Sequence, residues 1–391
     1  MAKIGKFLRI GYLCVKFNAM NNSQLSSADN QRIVFLDYLR VVACFMVILV
    51  HSIEPFYLGG EGSYIASLSD ARWVTFLDSA LRCAVPLFVM TSSYLLVPVR
   101  CDGITFLRRR FGRVAIPFIL WSLLYAIVPM WGSGGEVDIK GNLSRLVFNL
   151  MPHSGHLWFV YMLLGIYIIM PIISPWLERV SKRGEQLFIG AWLISTAIPF
   201  IREAASATGT AEVWGEASWN EFGMLYYTSG FIGYIVVAHY IRKYVNWNVK
   251  HTLLVAIPMF VVGYLIVALP FYAQLGETYP ISGTIDLAIA WERSWCFATT
   301  GVALTAIAVF LLFKLIAKPC RIYPLFERLS KLSYGIYLIH IFVLVAVFDI
   351  VSSWGLITPY TIILSATLTL LISAIFVRVI SLLPKSKYLI G

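Results

Sequence analysis

Apolar runs of roughly 20 residues recur along the whole chain, and each is long enough to cross a bilayer as a helix. Clusters of Arg, Lys, Pro and Gly separate them. The pattern predicts ten helices, at 33–56, 73–98, 114–131, 156–176, 186–201, 221–241, 252–272, 292–316, 331–350 and 358–381. Composition agrees: 59% of the 391 residues are hydrophobic and 13% are charged, where a soluble domain carries about 25% charged residues. The expected fold is an all-α, polytopic integral membrane protein of about ten transmembrane helices. No internal repeat is evident, which weighs against an inverted-repeat transporter. Cysteines 14, 44, 83, 101, 296 and 320 form no CxxC pair and read as packing residues, with no disulfide framework and no metal site.

The net charge of +11 is a topology signal once the spans are drawn. With the N-terminus in the cytoplasm, 24 of the 31 Lys and Arg residues fall on the cytoplasmic side. Arg72, Lys140, Arg145 and Arg202 fall opposite, and Arg40, Arg82 and Arg293 lie within spans. Such asymmetry places both termini in the cytoplasm and excludes nucleic acid as the reason for the charge. Residues 1–32 form a basic lead without the apolar core and cleavage site of a signal peptide, and Met20 is an alternative start. Residues 33–384 form the membrane domain, and 385–391 a short cytoplasmic tail. The outer loops 132–155, 202–220 and 273–290, rich in Gly, Ser, Trp and Tyr, read either as a sugar-binding mouth or as solvated interfacial loops.

Ionisable side chains within spans are costly and tend to face a cavity or a bound partner. The first helix, "LDYLRVVACFMVILVH", carries Asp37, Arg40 and His51. Arg40 and His51 are eleven positions apart, close to three full turns, so they share a face about 16 Å apart along the axis. One face thus carries a cation at the cytoplasmic mouth and an acid–base group about midway through the core. The competing reading is an arginine snorkelling to headgroups and a histidine bonded to a neighbour. Asp37, three residues before Arg40, is expected to pair with it. Glu54, three beyond His51, is another available carboxylate, placed outward.

In "FLRRRFGRVAIP", Arg108, Arg109, Arg110 and Arg113 precede the expected third helix. They suit either bidentate phosphate binding at a helix N-terminus or topology charge facing anionic lipid. Arg82 is intramembrane, and Pro86 is expected to interrupt its helix. His156 and Trp158 sit at the outer end of the fourth helix, where an aromatic belt accounts for Trp158 and an acceptor contact for His156. Ser333, Tyr337 and His340 lie in the ninth helix, with Tyr337 and His340 adjacent on one face. Interhelical packing is the plain alternative for them. Glu292 and Arg293 are expected to pair, and His153, His239 and His251 to be interfacial.

These stretches together resemble the membrane-bound acyltransferase 3 family, from about Phe35 to about Arg378. The Arg-x10-His pattern of Arg40 and His51 is the most specific element. It is followed in the family's order by "VPLFVMTSSYLL", "RRFGRVAIPF", "HLWFVYMLLGIYIIMPII" and "SYGIYLIH". Ser93 departs from the pattern, standing where the family commonly has glycine. The resemblance implies a ten-helix enzyme that moves an acyl group, usually acetyl, from cytoplasmic acyl-CoA to a hydroxyl of a glycan or lipid-linked sugar. His51 would be the catalytic histidine, Arg40 its partner, and Arg108, Arg109, Arg110 and Arg113, with Arg40, the contacts for the CoA phosphates. The chain, ending just past the tenth helix, resembles the stand-alone form. The residues read alone leave room for a transporter or flippase of a glycan precursor, or for a silent membrane subunit. They also leave open general-base chemistry against an acyl-histidine relay.

Overall fold

The computed structural model describes residues 32–59, 62–149, 152–210, 212–217 and 219–391. Almost all of the basic lead, with Met20 and Cys14, lies outside them. The helices in chain order are α1 (Val34–Ile53), α2 (Leu68–Leu81), α3 (Ala84–Leu96), α4 (Gly103–Ile127), α5 (Ile139–Leu146), α6 (Trp158–Arg179), α7 (Lys182–Thr196) and α8 (Ile198–Ala207). They continue with α9 (Ile232–Tyr244), α10 (Val249–Ala273), α11 (Ile285–Trp291), α12 (Thr300–Lys314), α13 (Tyr323–Ser352), α14 (Thr358–Ile380) and α15 (Lys387–Ile390). Three short strands, β1 (Leu58–Gly59), β2 (Gly62–Ile65) and β3 (Ile281–Thr284), form an antiparallel sheet in that order. The pairing of Ile65 with Ile281 and of Gly62 with Thr284 ties the loop after α1 to the loop before α11.

Seven helical stretches are long and apolar enough to cross a membrane; two bent pairs bring the number to nine among the described residues. α7 and α8 meet at 44°, and the helix ending at Trp295 meets α12 at 48°. These are the expected fifth and eighth spans. The sixth, 221–241, differs: a 3-10 turn at Gly223–Thr228 precedes α9, which has 13 residues. That length rises about 20 Å, short of a core of about 30 Å. α9 buries Gly233 through His239 as well as Ile241, so it is an interior helix. The protein is an all-α polytopic membrane protein.

Local sequence explains the larger shifts in helix boundaries. The third span begins at Gly103, well ahead of Val114, because the Asp102 carboxylate accepts the Thr105 N–H at 3.0 Å and caps the helix. That N–H holds the Asp102 carboxyl below its ordinary value. The arginines of 108–113 therefore lie inside α4, beyond the first turn in which a helix dipole acts. The expected help from a helix N-terminus is absent. In the second span the break falls at Arg82–Cys83, and Pro86 sits in the first turn of α3, where its missing N–H costs little. The Ser93 hydroxyl donates to the Val89 carbonyl one turn back, at 2.7 Å, so it is satisfied within its own helix.

α1 is the central helix, touching α2, α3, α12, α13 and α14. α10 and α12 cross through glycine: a Cβ on Gly263 would lie 2.8 Å from the Gly301 carbonyl oxygen, and one on Gly301 equally close to that of Gly263. Small residues let backbones approach in this way. α15 packs on α4, α13 and α14, with the Trp121 indole donating to the Leu389 carbonyl at 2.8 Å.

Cys44 and Cys83 are buried packing residues as expected, whereas Cys101, Cys296 and Cys320 are exposed. His239 is not interfacial: it is buried, with Nδ1 3.0 Å from the Glu185 carboxylate.

Candidate active site

Arg40 and His51 project from one face of α1 into a single cavity of about 400 Å³, within the range of small-molecule sites. Its wall changes character along its length. At one end stand Arg40, Arg110, Arg113 and Lys331, with the hydroxyl-bearing Ser330, Ser333, Tyr334 and Tyr167. Phe88, Phe159, Val47 and Leu163 form apolar wall. At the far end are His51, His156, Glu54, Arg82 and Glu292, bordered by Trp158 and Phe297. A cationic end, apolar wall and an acid–base end thus share one space.

The basic end is left with free positive charge. Asp37 does not pair with Arg40, as its spacing suggested. Its carboxylate accepts Arg32 Nε at 2.5 Å and Nη2 at 2.8 Å, the Tyr323 hydroxyl at 2.8 Å and the Ser330 hydroxyl at 2.7 Å. Four donors saturate it. Arg40 is left without a carboxylate partner among the described residues, facing the cavity beside Arg110 and Arg113. Arg108 and Arg109 are exposed and do not line the cavity. Of the four arginines of the motif, Arg110 and Arg113 therefore reach the cavity and Arg108 and Arg109 do not.

At the other end, His51 Nδ1 lies 2.9 Å from Glu54 Oε1. The helix continues into a 3-10 turn at Glu54–Phe56, and this brings Glu54 back over the ring. A carboxylate on Nδ1 fixes the proton there and leaves Nε2 with its lone pair. That is the arrangement an imidazole base needs. Glu54, Arg82 and Glu292 approach from three segments far apart in sequence.

Arg82 is held between Asp78 and Tyr57. Its Nε lies 3.0 Å from Asp78 Oδ1, its Nη2 makes a close ion pair with Asp78 Oδ2, and it donates to the Tyr57 hydroxyl at 3.1 Å. Tyr57 donates to Glu292 at 2.5 Å, and the guanidinium lies 4.3 Å from the centroid of the Trp295 ring. Glu292 thus joins Arg82 and Tyr57, not Arg293. The Asp78–Arg82 spacing of four on a helix is a legible signal. The Tyr57–Glu292 contact, across 235 positions, has none.

The remaining candidates cluster around His51. His156 lines the cavity with its ring centroid 6.2 Å from that of His51, and His340 lies behind them at 5.3 Å from His51 and 5.0 Å from His156. Tyr337 lines the cavity, and its hydroxyl donates to the His156 carbonyl at 2.5 Å. Ser333 donates to the Ser330 carbonyl at 2.9 Å. Trp158 stacks on Phe297, centroids 5.1 Å apart at 23°, so it is part of the cavity rim, not an isolated membrane anchor. Among the described residues, no group of His, Cys, Asp and Glu side chains is arranged to hold a metal ion.

The arrangement joins an anion-attracting mouth to a carboxylate–imidazole pair. Comparison with known proteins agrees with that chemistry. The family model described as an acyltransferase domain matches residues 33–378. A Bacillus subtilis (strain 168) protein, "Putative membrane-bound acyltransferase YfiQ", is 21% identical over 318 residues, 78% of this chain and 80% of that one. No solved structure matches. The family match runs through α1 to α14 and includes every cavity residue named above, and the chain belongs to the acyltransferase 3 family as a multi-pass membrane acyltransferase.

Proposed function

We propose that the protein transfers an acyl group, acetyl in the simplest case, from acyl-CoA to a hydroxyl of an envelope glycan or lipid-linked sugar. The carrying observation is the continuous cavity that joins Arg40, Arg110 and Arg113 at one end to the His51–Glu54 pair at the other. Guanidinium groups bind phosphates through paired N–H donors, so the basic end suits the phosphates of a CoA thioester, whereas Lys331 is paired with Glu327 at 2.6 Å. The apolar stretch suits a pantetheine arm, which would bring the thioester near His51. The positive-inside rule sets the basic end toward the cytoplasm and the carboxylate end outward, in the cytoplasmic membrane. The donor then enters from inside and the acceptor from outside.

His51 Nε2 takes the proton of the acceptor hydroxyl as the oxygen attacks the thioester carbon. Glu54 holds the ring and balances its charge. The C–O bond forms, the C–S bond breaks, and the proton passes from His51 to the departing thiolate. General-base help of this sort is worth about 10²–10⁴-fold.

The test is CoA-thiol release by purified protein in detergent with an acyl-CoA and a sugar acceptor. Acceptor-dependent release that is lost in His51→Ala supports the reading. Vectorial sugar movement without thiol release would replace it with a carrier.

A further inference from the structure

The acid–base end of the cavity holds a carboxylate that the steps above do not use. Glu292 opens the 3-10 turn Glu292–Trp295, at the bend between α11 and α12. Trp291 before it and Trp295 after it are each 1% exposed. Trp295 stacks on Phe271 of α10, centroids 4.0 Å apart at 15°. The two buried indoles pin the turn and leave the Glu292 side chain on the cavity wall, 34% exposed.

The two oxygens of that carboxylate differ. The Tyr57 hydroxyl donates to Oε1 at 2.5 Å, and Arg82 Nη2 lies 3.7 Å from the same atom. Among the described residues, no donor reaches Oε2. A carboxylate oxygen is an acceptor only, so a group that meets Oε2 from the cavity must bring a hydrogen. Tyr57 is fully buried and holds the carboxylate in place before any ligand arrives. Trp158 and Phe297, both half-buried, give the same end of the cavity apolar ring surface. Aromatic wall with a few fixed polar groups is the usual make-up of a small-molecule site.

Charge narrows the class of ligand. Arg82 is already matched by Asp78 in a close ion pair. Arg293 is exposed and does not line the cavity. Glu54 and Glu292 therefore stand in excess at this end, where His51 is a cation only when protonated. The opposite end carries Arg40, Arg110 and Arg113. The cavity is polarised, positive at one end and negative at the other. Like charges brought together in a partly desolvated site repel, which rejects wrong partners. A neutral sugar meets no such repulsion and offers hydroxyl hydrogens to Oε2.

We propose that Glu292 is a specificity-determining residue for the acceptor: its Oε2 accepts a hydroxyl of a neutral sugar, and its charge, with that of Glu54, excludes uronic and other acidic sugars. This deepens the transfer reading and rests on it. The hydroxyl held by Glu292 is not the one acylated, whose proton still goes to His51. Replacing Glu292 thus changes which acceptor is used and leaves the donor end as it was.

The test is thiol release from acetyl-CoA by the full chain in detergent at neutral pH, with methyl glucoside against methyl glucuronide and methyl galactoside against methyl galacturonide. The members of each pair differ only in a CH2OH or an ionised carboxylate at one carbon. The parent protein should favour the neutral member by about tenfold or more in kcat/KM. Glu292→Gln keeps the shape and an oxygen for Tyr57 but removes the charge. It should lower the neutral-over-acidic ratio by about fivefold or more, mainly through KM for the sugar, with KM for acetyl-CoA unchanged. Glu292→Asp, which keeps the charge, should keep the preference. A parent that uses both members equally, or favours the uronide, would overturn the assignment without any variant. An unchanged ratio in Glu292→Gln, with both rates falling together, would overturn it too and leave Glu292 a support for Tyr57 and Arg82. Absence of release from all of these sugars in the parent would instead count against transfer to sugars.

Discussion

His51 and Glu54 are three residues apart, and the change from α-helix to 3-10 turn between them sets Nδ1 2.9 Å from the carboxylate. The pair is local in sequence, so nothing else in the fold need move to assemble it. Replacing Glu54 by Gln keeps the shape and removes the charge that balances an imidazolium. Thiol release should fall by about 100-fold or more, with acyl-CoA affinity unchanged. Stopped-flow thiol detection alongside donor titration checks both.

Arg82 is buried against Asp78. Removing one partner of such a pair leaves an uncompensated charge, at a cost of about 3–5 kcal/mol. Arg82→Met should therefore lower the thermal midpoint in detergent sharply. Arg82→Met with Asp78→Asn should recover a large part of it. Equal losses in the single and double variants would contradict the pairing.

The arginine-rich stretch of α4 gives an internal control. Arg110 and Arg113 line the cavity; Arg108 and Arg109 do not. A charge-assisted hydrogen bond is worth about 1.5–3 kcal/mol. Arg110→Gln and Arg113→Gln should each raise the KM for acyl-CoA about tenfold. Arg108→Gln and Arg109→Gln should leave it near the parent value. Uniform effects across all four would assign the stretch to topology alone.

Gly263 and Gly301 meet backbone to backbone where α10 crosses α12. Backbone cannot give way as a flexible side chain does. Gly301→Val should separate the helices and cost about 1–3 kcal/mol or more, read as a lower midpoint of thermal unfolding in the same detergent. Gly112, with nothing within 4 Å of where its Cβ would lie, should tolerate Ala.

Much of the fold was legible because bilayer thickness is a ruler. A run such as 358–381 has one way to satisfy its backbone in lipid, and α14 occupies it almost residue for residue. The interior helix α9 was misread because hydropathy reports burial in lipid and burial in protein alike. The Arg40–His51 face was legible from helical period alone. Asp37 was misassigned because spacing of three permits a contact without requiring it, and Arg32, Tyr323 and Ser330 offered better donors. The gathering of His156 and His340 around His51 depends on how α6 and α13 pack on α1, which no local pattern encodes.

A passage between the two faces of a membrane carries a hazard apart from chemistry: it can short-circuit the ion gradients the cell maintains. The cluster of Arg40, Arg110 and Arg113 at one end of the cavity bears on this too. Fixed positive charge in a confined space repels sodium, potassium and hydronium, as cationic constrictions do in selective pores. Under the proposed transfer, the side chains that draw in a polyphosphate would also act as an electrostatic seal, keeping small cations out of the path between donor and acceptor.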